Sequence, residues 1–229
     1  DPAPGEEVVD EGEETPAEDD IYSAPQLDAN GNIVVKVPDP AHFWDFEEGN
    51  GPWAMDSGYE PLDLKVTACA WVGEANEGSV IEFPESHPGV RIESSATINL
   101  ETKRMLTIAM WVRPDESAGE KTSLLYEQGG YWRGLNLLLE KGRLQANGWN
   151  KPDHESGWNL TTLHGGDVLM GQWNHVALVL EAGDVVEEGS FRLFLNGELV
   201  DAGAASRLWV HSGAIGLGQV QGTTLYRDQ

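Results

Sequence analysis

The chain of 229 residues has one cysteine, so no disulfide can form within it, and the paired-cysteine signature of an oxidising compartment is absent. Basic residues are scarce: 14 Lys and Arg stand against 39 Asp and Glu, a formal net charge of −25. Such a surface repels a phosphate backbone at every approach, which excludes nucleic acid as a partner and disfavours anionic membranes. No run of about 18 apolar residues exists to span a bilayer, and long stretches of helical periodicity are also missing. Cys/His spacing of the kind that holds zinc is absent too.

What is present points to one large all-β domain. Apolar residues make up 40% of the chain and include nine Trp, enough for a sizeable core, while 27 Gly and 12 Pro supply many turns. Residues 1 to 20 carry ten acids and no base, interspersed with Pro, Gly and Ala; the segment is expected to be a disordered acidic tail serving as a solvated spacer or stalk. The chain opens Asp1-Pro-Ala-Pro-Gly5 without Met, as expected where a targeting segment has been removed. Residues 21 to 40 contain the turn Asp28-Ala-Asn-Gly-Asn32 and the β-branched run Ile33-Val-Val-Lys-Val37, an added edge strand or an arm docking on a neighbouring subunit.

From Ala41 onward short alternating runs separated by Gly, Pro, Asn and Asp predict an antiparallel β-sandwich. Strands are expected over 42–46, 64–70, 79–83, 89–93, 106–113, 123–128, 134–140, 143–147, 172–181, 190–195, 198–200 and 214–218. In Leu106-Thr-Ile-Ala-Met-Trp-Val112 the alternation sends Leu106, Ile108, Met110 and Val112 to one face and Trp111 to the other, so both faces are expected to be covered. Asn196-Gly197 and Lys141-Gly142 are type I′ hairpin signals. The polar segment from Asn150 to Gly171 reads as a long loop, and Asn159-Leu-Thr161 within it is a formal glycosylation sequon.

Five motifs in order resemble a known family. His42-Phe-Trp-Asp-Phe-Glu-Glu-Gly49 with Asp56-Ser-Gly58 and Asp63 is similar to the opening strand and first loop of laminin-G-like, concanavalin A-like lectin/glucanase jelly rolls. Gly78-Ser-Val-Ile-Glu-Phe83, Leu106 to Pro114, Gln172-Trp-Asn-His-Val-Ala177 and Phe191-Arg-Leu-Phe-Leu-Asn-Gly-Glu198 are similar to later strands, so the resemblance covers 42 to 218. It implies a jelly-roll sandwich over 41–229, an extracellular or cell-surface location, and a structural Ca²⁺ held by Asp56 and Asp63. The alternative for Asp56 is a turn cap, and for Asp63 a place just before a strand. The family's usual closing strand, approximately G-x-I-D-E-V-R-I-Y, has no counterpart before Gln229; the slot is expected to be filled by the Ile33–Val37 arm, by another chain through β-augmentation, or by a longer gene product.

Glycosidases on this fold need two facing carboxylates, commonly on a Glu-x-Asp-x-Glu strand, and no strand here reads that way. His175 is expected to be structural, and Cys69 to be a small apolar side chain. No enzyme activity is therefore expected. Trp44, Trp111 and Trp173 lie in strand motifs, whereas Trp53, Trp132, Trp149 and Trp158 lie in Gly- and Asn-rich segments. If those segments gather at one rim, Tyr131, Trp132, Arg133, Trp149, Asn150, Asp153 and Trp158 form an aromatic-polar surface for a glycan or a surface protein. The competing expectations are a subunit of an extracellular filament that exchanges strands between copies, and a polysaccharide-active enzyme.

Overall fold

The computed structural model describes residues 26–27, 33–34, 38–74, 78–84, 87–151 and 157–218. The acidic run 1–20, the remainder of the Ile33–Val37 arm, Asp153 and the chain end beyond 218 lie outside the described residues. Residues up to Asp39 form one unit and Pro40 onward a second. In the first, β1 (Gln26–Leu27) pairs antiparallel with β2 (Ile33–Val34), while the Asp28–Asn32 turn signal between them lies outside the described residues.

The second unit carries β3 (Trp53–Ala54), β4 (Leu64–Lys65), β5 (Ala70–Glu74), β6 (Gly78–Glu82), β7 (Val90–Arg91), β8 (Met105–Val112), β9 (Thr122–Gly129) and β10 (Arg133–Glu140). It continues with β11 (Arg143–Asn150), β12 (Trp158–Asp167), β13 (Asn174–Glu181), β14 (Glu187–Leu195), β15 (Glu198–Ala205) and β16 (Ala214–Leu217). A six-stranded sheet runs in the order β12-β11-β10-β9-β16-β7 and a four-stranded sheet in the order β15-β14-β13-β8, with β3-β4 and β5-β6 as separate hairpins. Every pairing is antiparallel.

Alternation decides which side chains meet between the layers. Leu135, Leu137 and Leu139 of β10 face Val176, Leu178 and Leu180 of β13 and Phe191 and Leu193 of β14 across the core. Each of these buried side chains stabilises the sandwich by roughly 1.5–3 kcal/mol. Gly148 is small for a reason: a Cβ there would come within 3.0 Å of the Phe191 ring. Both hairpin signals hold, with φ of 51° and 84° at Asn196 and Gly197 and 51° and 78° at Lys141 and Gly142.

Four expectations change. The run 64–70 is not one strand: β4 ends at Lys65 and β5 begins at Ala70, with a turn between them. The run 42–46 is not a strand: its backbone pairs with the first loop, where Phe43 O accepts from Ser57 N at 2.9 Å, and Phe46 sits at φ 58°. The presumed loop from Asn150 to Gly171 instead holds the ten-residue edge strand β12. Its Thr161, Thr162 and Asn159 disguise a strand that buries Trp158 and Leu163 on one face. Finally, β8 is covered on one face only, since Leu106, Ile108, Met110 and Val112 pack against the core while Met105, Thr107, Ala109 and Trp111 are exposed. Trp111 meets His175 edge-on at 5.1 Å on that outer face and is 65% exposed.

The two long sides of the sandwich differ. Beside β12, His164 N–H donates to the Asp201 carboxylate at 2.8 Å and the Thr161 hydroxyl to Ala204 O, tying that edge to β15. No such lacing is found along β8 among the described residues.

Candidate functional site

The β9–β10 turn builds a rim at one end of the sandwich. Gly129 (φ 110°) and Gly213 (φ 134°) let three backbone segments pass so closely that a Cβ on Gly213 would lie 2.0 Å from Gly129 O. Between β9 and β10 the chain projects Tyr131 and Trp132, which are 52% and 59% exposed and meet edge to face with ring centroids 5.3 Å apart. Lys151, just after β11, places its Nζ 3.3 Å from the Tyr131 ring centroid and 5.8 Å from that of Trp132. Its backbone N–H donates to Trp132 O at 2.9 Å, which fixes the lysine beside the turn.

The other expected ligand-binding residues lie close by but do not reach the surface. Trp149 is 3% exposed; its indole N–H donates to Gly130 O at 2.8 Å, holding the turn from beneath. Asn150 is fully buried and joins three segments, accepting from Arg133 Nε at 2.9 Å and donating to Arg207 O at 3.1 Å. Trp158, 8% exposed, belongs to the core, and its indole N–H donates to Gly148 O at 3.0 Å. Trp149, Asn150 and Trp158 are therefore corrected from contact residues to supports: an indole or amide whose polar atoms bond the backbone, with its apolar area packed, has no face left for a ligand. The surface is Tyr131, Trp132 and Lys151, with half-buried Arg133 behind them. Sequence reading missed Lys151, although its position one residue after the Trp149-Asn150 pair was a signal. Trp53 is also exposed, but on the β3–β4 hairpin.

A polar cluster braces the rim from inside. The Tyr126 hydroxyl donates to Gln128 Oε1 at 2.7 Å, and the Gln128 amide lies 3.1 Å from His211 Nε2, whose other ring nitrogen is 2.8 Å from Trp209 O. An imidazole accepting the amide at Nε2 and donating from Nδ1 is the neutral tautomer, in keeping with burial and then the nearby Arg133 and Lys103 charges lowering its pKa. Asn99 ties the short helical turn 96–100 to the same loop by donating to His211 O at 2.8 Å.

Gly134 tests how much the platform depends on this packing. A Cβ at Gly134 would lie 2.4 Å from Gln128 O and 2.9 Å from the Trp149 ring, so Gly134→Ala is expected to cost about 2–4 kcal/mol and loosen the turn. Urea unfolding with tryptophan fluorescence measures both effects; an unchanged midpoint would contradict this packing.

Asp56 and Asp63 are organised by the first loop itself. Asp56 Oδ1 accepts from Phe43 N and Gly58 N, each at 2.8 Å, and Oδ2 accepts from Leu62 N at 2.8 Å and His42 Nδ1 at 2.7 Å. Asp63 Oδ1 accepts from Asp56 N at 3.0 Å. Burial alone would push the Asp56 carboxyl up, but the bonds from Phe43, Gly58, His42 and Leu62 outweigh it and hold the group below the usual carboxylate range. Calcium takes six to eight oxygen ligands. Here the lone pairs of Asp56 already point at N–H donors, and among the described residues no three His, Cys, Asp or Glu side chains converge. This donor set does not fit a cation held by Asp56 and Asp63.

One polar feature escaped the sequence reading altogether. Arg91, Gly216, Glu127, Asn136, Asn147 and Thr162 stand in register across all six strands, on the face turned away from the core. Asn147 Nδ2 donates to Asn136 Oδ1 and the Thr162 hydroxyl to Asn147 Oδ1, both at 2.8 Å. Glu127 is 2% exposed, and burial pushes its carboxyl up to about 8. The lone thiol, Cys69, is likewise pushed up by burial to about 11 and lies 3.2 Å from His87 Nε2. At that value it remains a thiol rather than the nucleophilic thiolate.

Two packed antiparallel sheets of this order define a β-sandwich of the lectin-like class. The family model for the concanavalin A-like lectin/glucanases superfamily, of laminin G type, matches residues 85–226, and the chain belongs to that family. The match begins after the first two motifs of the sequence comparison, which lie within 42–83. Among solved structures, the binding domain of Paraclostridial Mosquitocidal Protein 1 is similar at a TM-score of 0.60 and 13% identity over 79% of this chain and 44% of that one. The binding domain of botulinum neurotoxin serotype G is similar at a TM-score of 0.47 and 8% identity, over 72% of this chain and 43% of that one. The chain thus spans less than half the length of the structures it resembles, and at these identities the likeness concerns the fold. The search of curated proteins found no match. Among the described residues no helix is long and apolar enough to cross a membrane.

Proposed function

We propose that this domain is a non-catalytic binding module of a secreted or surface-exposed protein, and that it recognises a glycan through Tyr131, Trp132 and Lys151. The observation that carries this reading is the pair of exposed rings, set edge to face on a turn that Trp149, Asn150 and Gly129 hold rigid. A sugar presents C–H bonds on its faces and hydroxyls around its edge, so it stacks on exposed aromatic rings while neighbouring polar groups bind the hydroxyls. Lys151, just after β11, and Arg133, at the start of β10, supply such donors beside the turn. A rigid platform also limits the ordering entropy that binding would otherwise cost. The family membership and the fold shared with a toxin binding domain support a binding role over catalysis.

Trp132→Ala is expected to weaken glycan binding by about ten- to a hundred-fold, since an aromatic anchor contributes roughly 1–3 kcal/mol. Stability should change by less than about 0.5 kcal/mol, because the ring is exposed. A glycan array followed by calorimetry on the wild type and the variant checks both. An array without any hit, or a hit whose affinity Trp132→Ala leaves unchanged, would overturn the reading.

A further inference from the structure

We infer that His211 is a latch beneath the rim that opens in mild acid. When its ring gains a second proton, the segment 206–213 lets go of β9 and the turn carrying Tyr131 and Trp132 loosens; the release of a bound glycan follows, a consequence that rests on the rim being the binding surface. The segment joins β15 to β16 and forms the underside of that turn. Arg207 O accepts from Asn150 Nδ2 at 3.1 Å, a Cβ on Gly130 would stand 3.2 Å from Ser212 O, and Gly213 passes against Gly129 O. His211 pins the segment from the middle. Its backbone N–H donates to Asn99 O at 3.1 Å, its carbonyl accepts from Asn99 Nδ2 at 2.8 Å, and its buried ring reaches Gln128 of β9.

The cluster has room for one imidazole proton only. In the neutral ring every hydrogen has an acceptor: the Tyr126 hydroxyl donates to Gln128 Oε1, the Gln128 amide to His211 Nε2, and His211 Nδ1 to Trp209 O. A proton on Nε2 would point at the Gln128 amide, donor against donor. Turning the amide over removes that clash and makes two others. Gln128 Oε1 would take the place of an Nε2 that lies 3.4 Å from Ile98 O, and the buried Tyr126 hydroxyl would lose its acceptor. The remaining relief is for the ring to move out to water, and the segment moves with it.

The surrounding charges favour the same outcome. Arg133, at the start of β10, and Lys103, after the 96–100 turn, are cations that oppose another. Tyr126 reaches the ring through Gln128 as a neutral hydroxyl. Glu127 precedes Gln128 and so lies on the other face of the sheet, and it keeps its own proton to about pH 8, so it supplies no countercharge. Burial and these cations outweigh the bond to Trp209 O and hold the folded ring below the ordinary value of 6.5. The open state, in which the ring titrates normally, therefore gains on the closed one as the pH falls below 6.5, by up to about thirty-fold at pH 5.

Amide hydrogen exchange of the whole chain, followed by NMR and divided by the unstructured rate at each pH, tests the latch. The N–H groups of Gly130 and Lys151 donate to Arg133 O and Trp132 O at 2.9 Å and so report on the turn. Between pH 7.5 and pH 5 their protection should fall by about five- to thirty-fold, while that of β13 in the other sheet holds. Asp56 stays ionised over this range, and Glu127 acts with the opposite sign, so neither imitates the effect. His211→Gln, which accepts the same amide and takes up no proton, should hold its protection constant from pH 7.5 to pH 5. Unchanged protection in the wild type, or an equal fall in His211→Gln, overturns the inference. Should that variant not fold, the nitrogen shifts of the wild-type His211 ring decide: a second proton gained at pH 6.5 or above overturns the latch, and one gained below it in step with the lost protection supports it. No glycan enters the measurement, so a failed latch leaves the binding role of the rim standing, and an empty glycan array leaves the latch standing.

Discussion

Replacing Asp56 by alanine is expected to destabilise the domain by about 3–5 kcal/mol, the largest effect of any single polar substitution considered. The Asp56 side chain is wholly buried and accepts from three backbone N–H groups and from His42. Removing it leaves those donors without an acceptor in a place water does not reach. The His42 ring, whose other nitrogen lies 2.7 Å from the Thr97 hydroxyl, would lose its link between the first loop and the turn at 96–100. Asp56→Asn keeps one acceptor oxygen and should recover part of the loss. The pH dependence has a definite sign, because the folded-state pKa of Asp56 is depressed. Its contribution is complete above the unfolded value of 3.8 and fades as the pH falls through the lower folded value. Urea unfolding of both variants between neutral pH and pH 3 measures this, and a wild type no more sensitive to acid than Asp56→Ala would refute it. Chelation by EDTA should leave the wild-type melting temperature unchanged, as the loop is held by its own donors; a drop would restore Asp56 and Asp63 to the role of metal ligands.

Glu127→Gln is expected to act in the opposite direction. Glu127 keeps its proton to about pH 8 in the folded chain, whereas the unfolded chain releases it near 4.5. Between these values the folded state binds more protons, so the contribution of Glu127 to stability falls as the pH rises from about 4.5 to about 8 and stays low above that. A neutral amide of the same shape removes the penalty. Glu127→Gln should therefore match the wild type near pH 4.5 and be more stable by about 2–4 kcal/mol at pH 9. Unfolding free energies of the two proteins across that range provide the comparison. Parallel pH profiles would show that the carboxyl is ionised in the folded state at neutral pH. In register between Asn136 and Gly216, the amide would also extend the row that already links Asn136, Asn147 and Thr162.

The strands whose apolar residues alternate without interruption were legible from the chain alone. β8, β10, β13 and β14 place leucine, valine, isoleucine, methionine or phenylalanine at every second position, and a period of two has only one way to bury them. Asn196-Gly197 and Lys141-Gly142 were equally legible, because few residue pairs accept two positive φ angles in succession. β12 was hidden for the converse reason. Its threonines, asparagine and glycines are common in loops, and only a neighbouring strand in register gives them a ladder to join.

The candidate site divides along the same line. Composition and spacing gathered Tyr131, Trp132, Arg133, Trp149, Asn150 and Trp158 into one neighbourhood, and the fold does bring the β9–β10 turn against the end of β11. Which aromatic ring faces water is a matter of direction rather than identity. Trp132 sits on a turn that no strand covers, while Trp158, with the same indole, begins a strand whose inward face closes the core. Burial of Glu127 beside Asn136 and closure of Asp56 by four donors likewise depend on residues far apart in the chain. The sequence by itself determined the all-β class, the turns and the inward faces of the regular strands. Tertiary structure alone decided which aromatics are exposed and which carboxylates are enclosed, because each depends on neighbours that only the folded chain brings together.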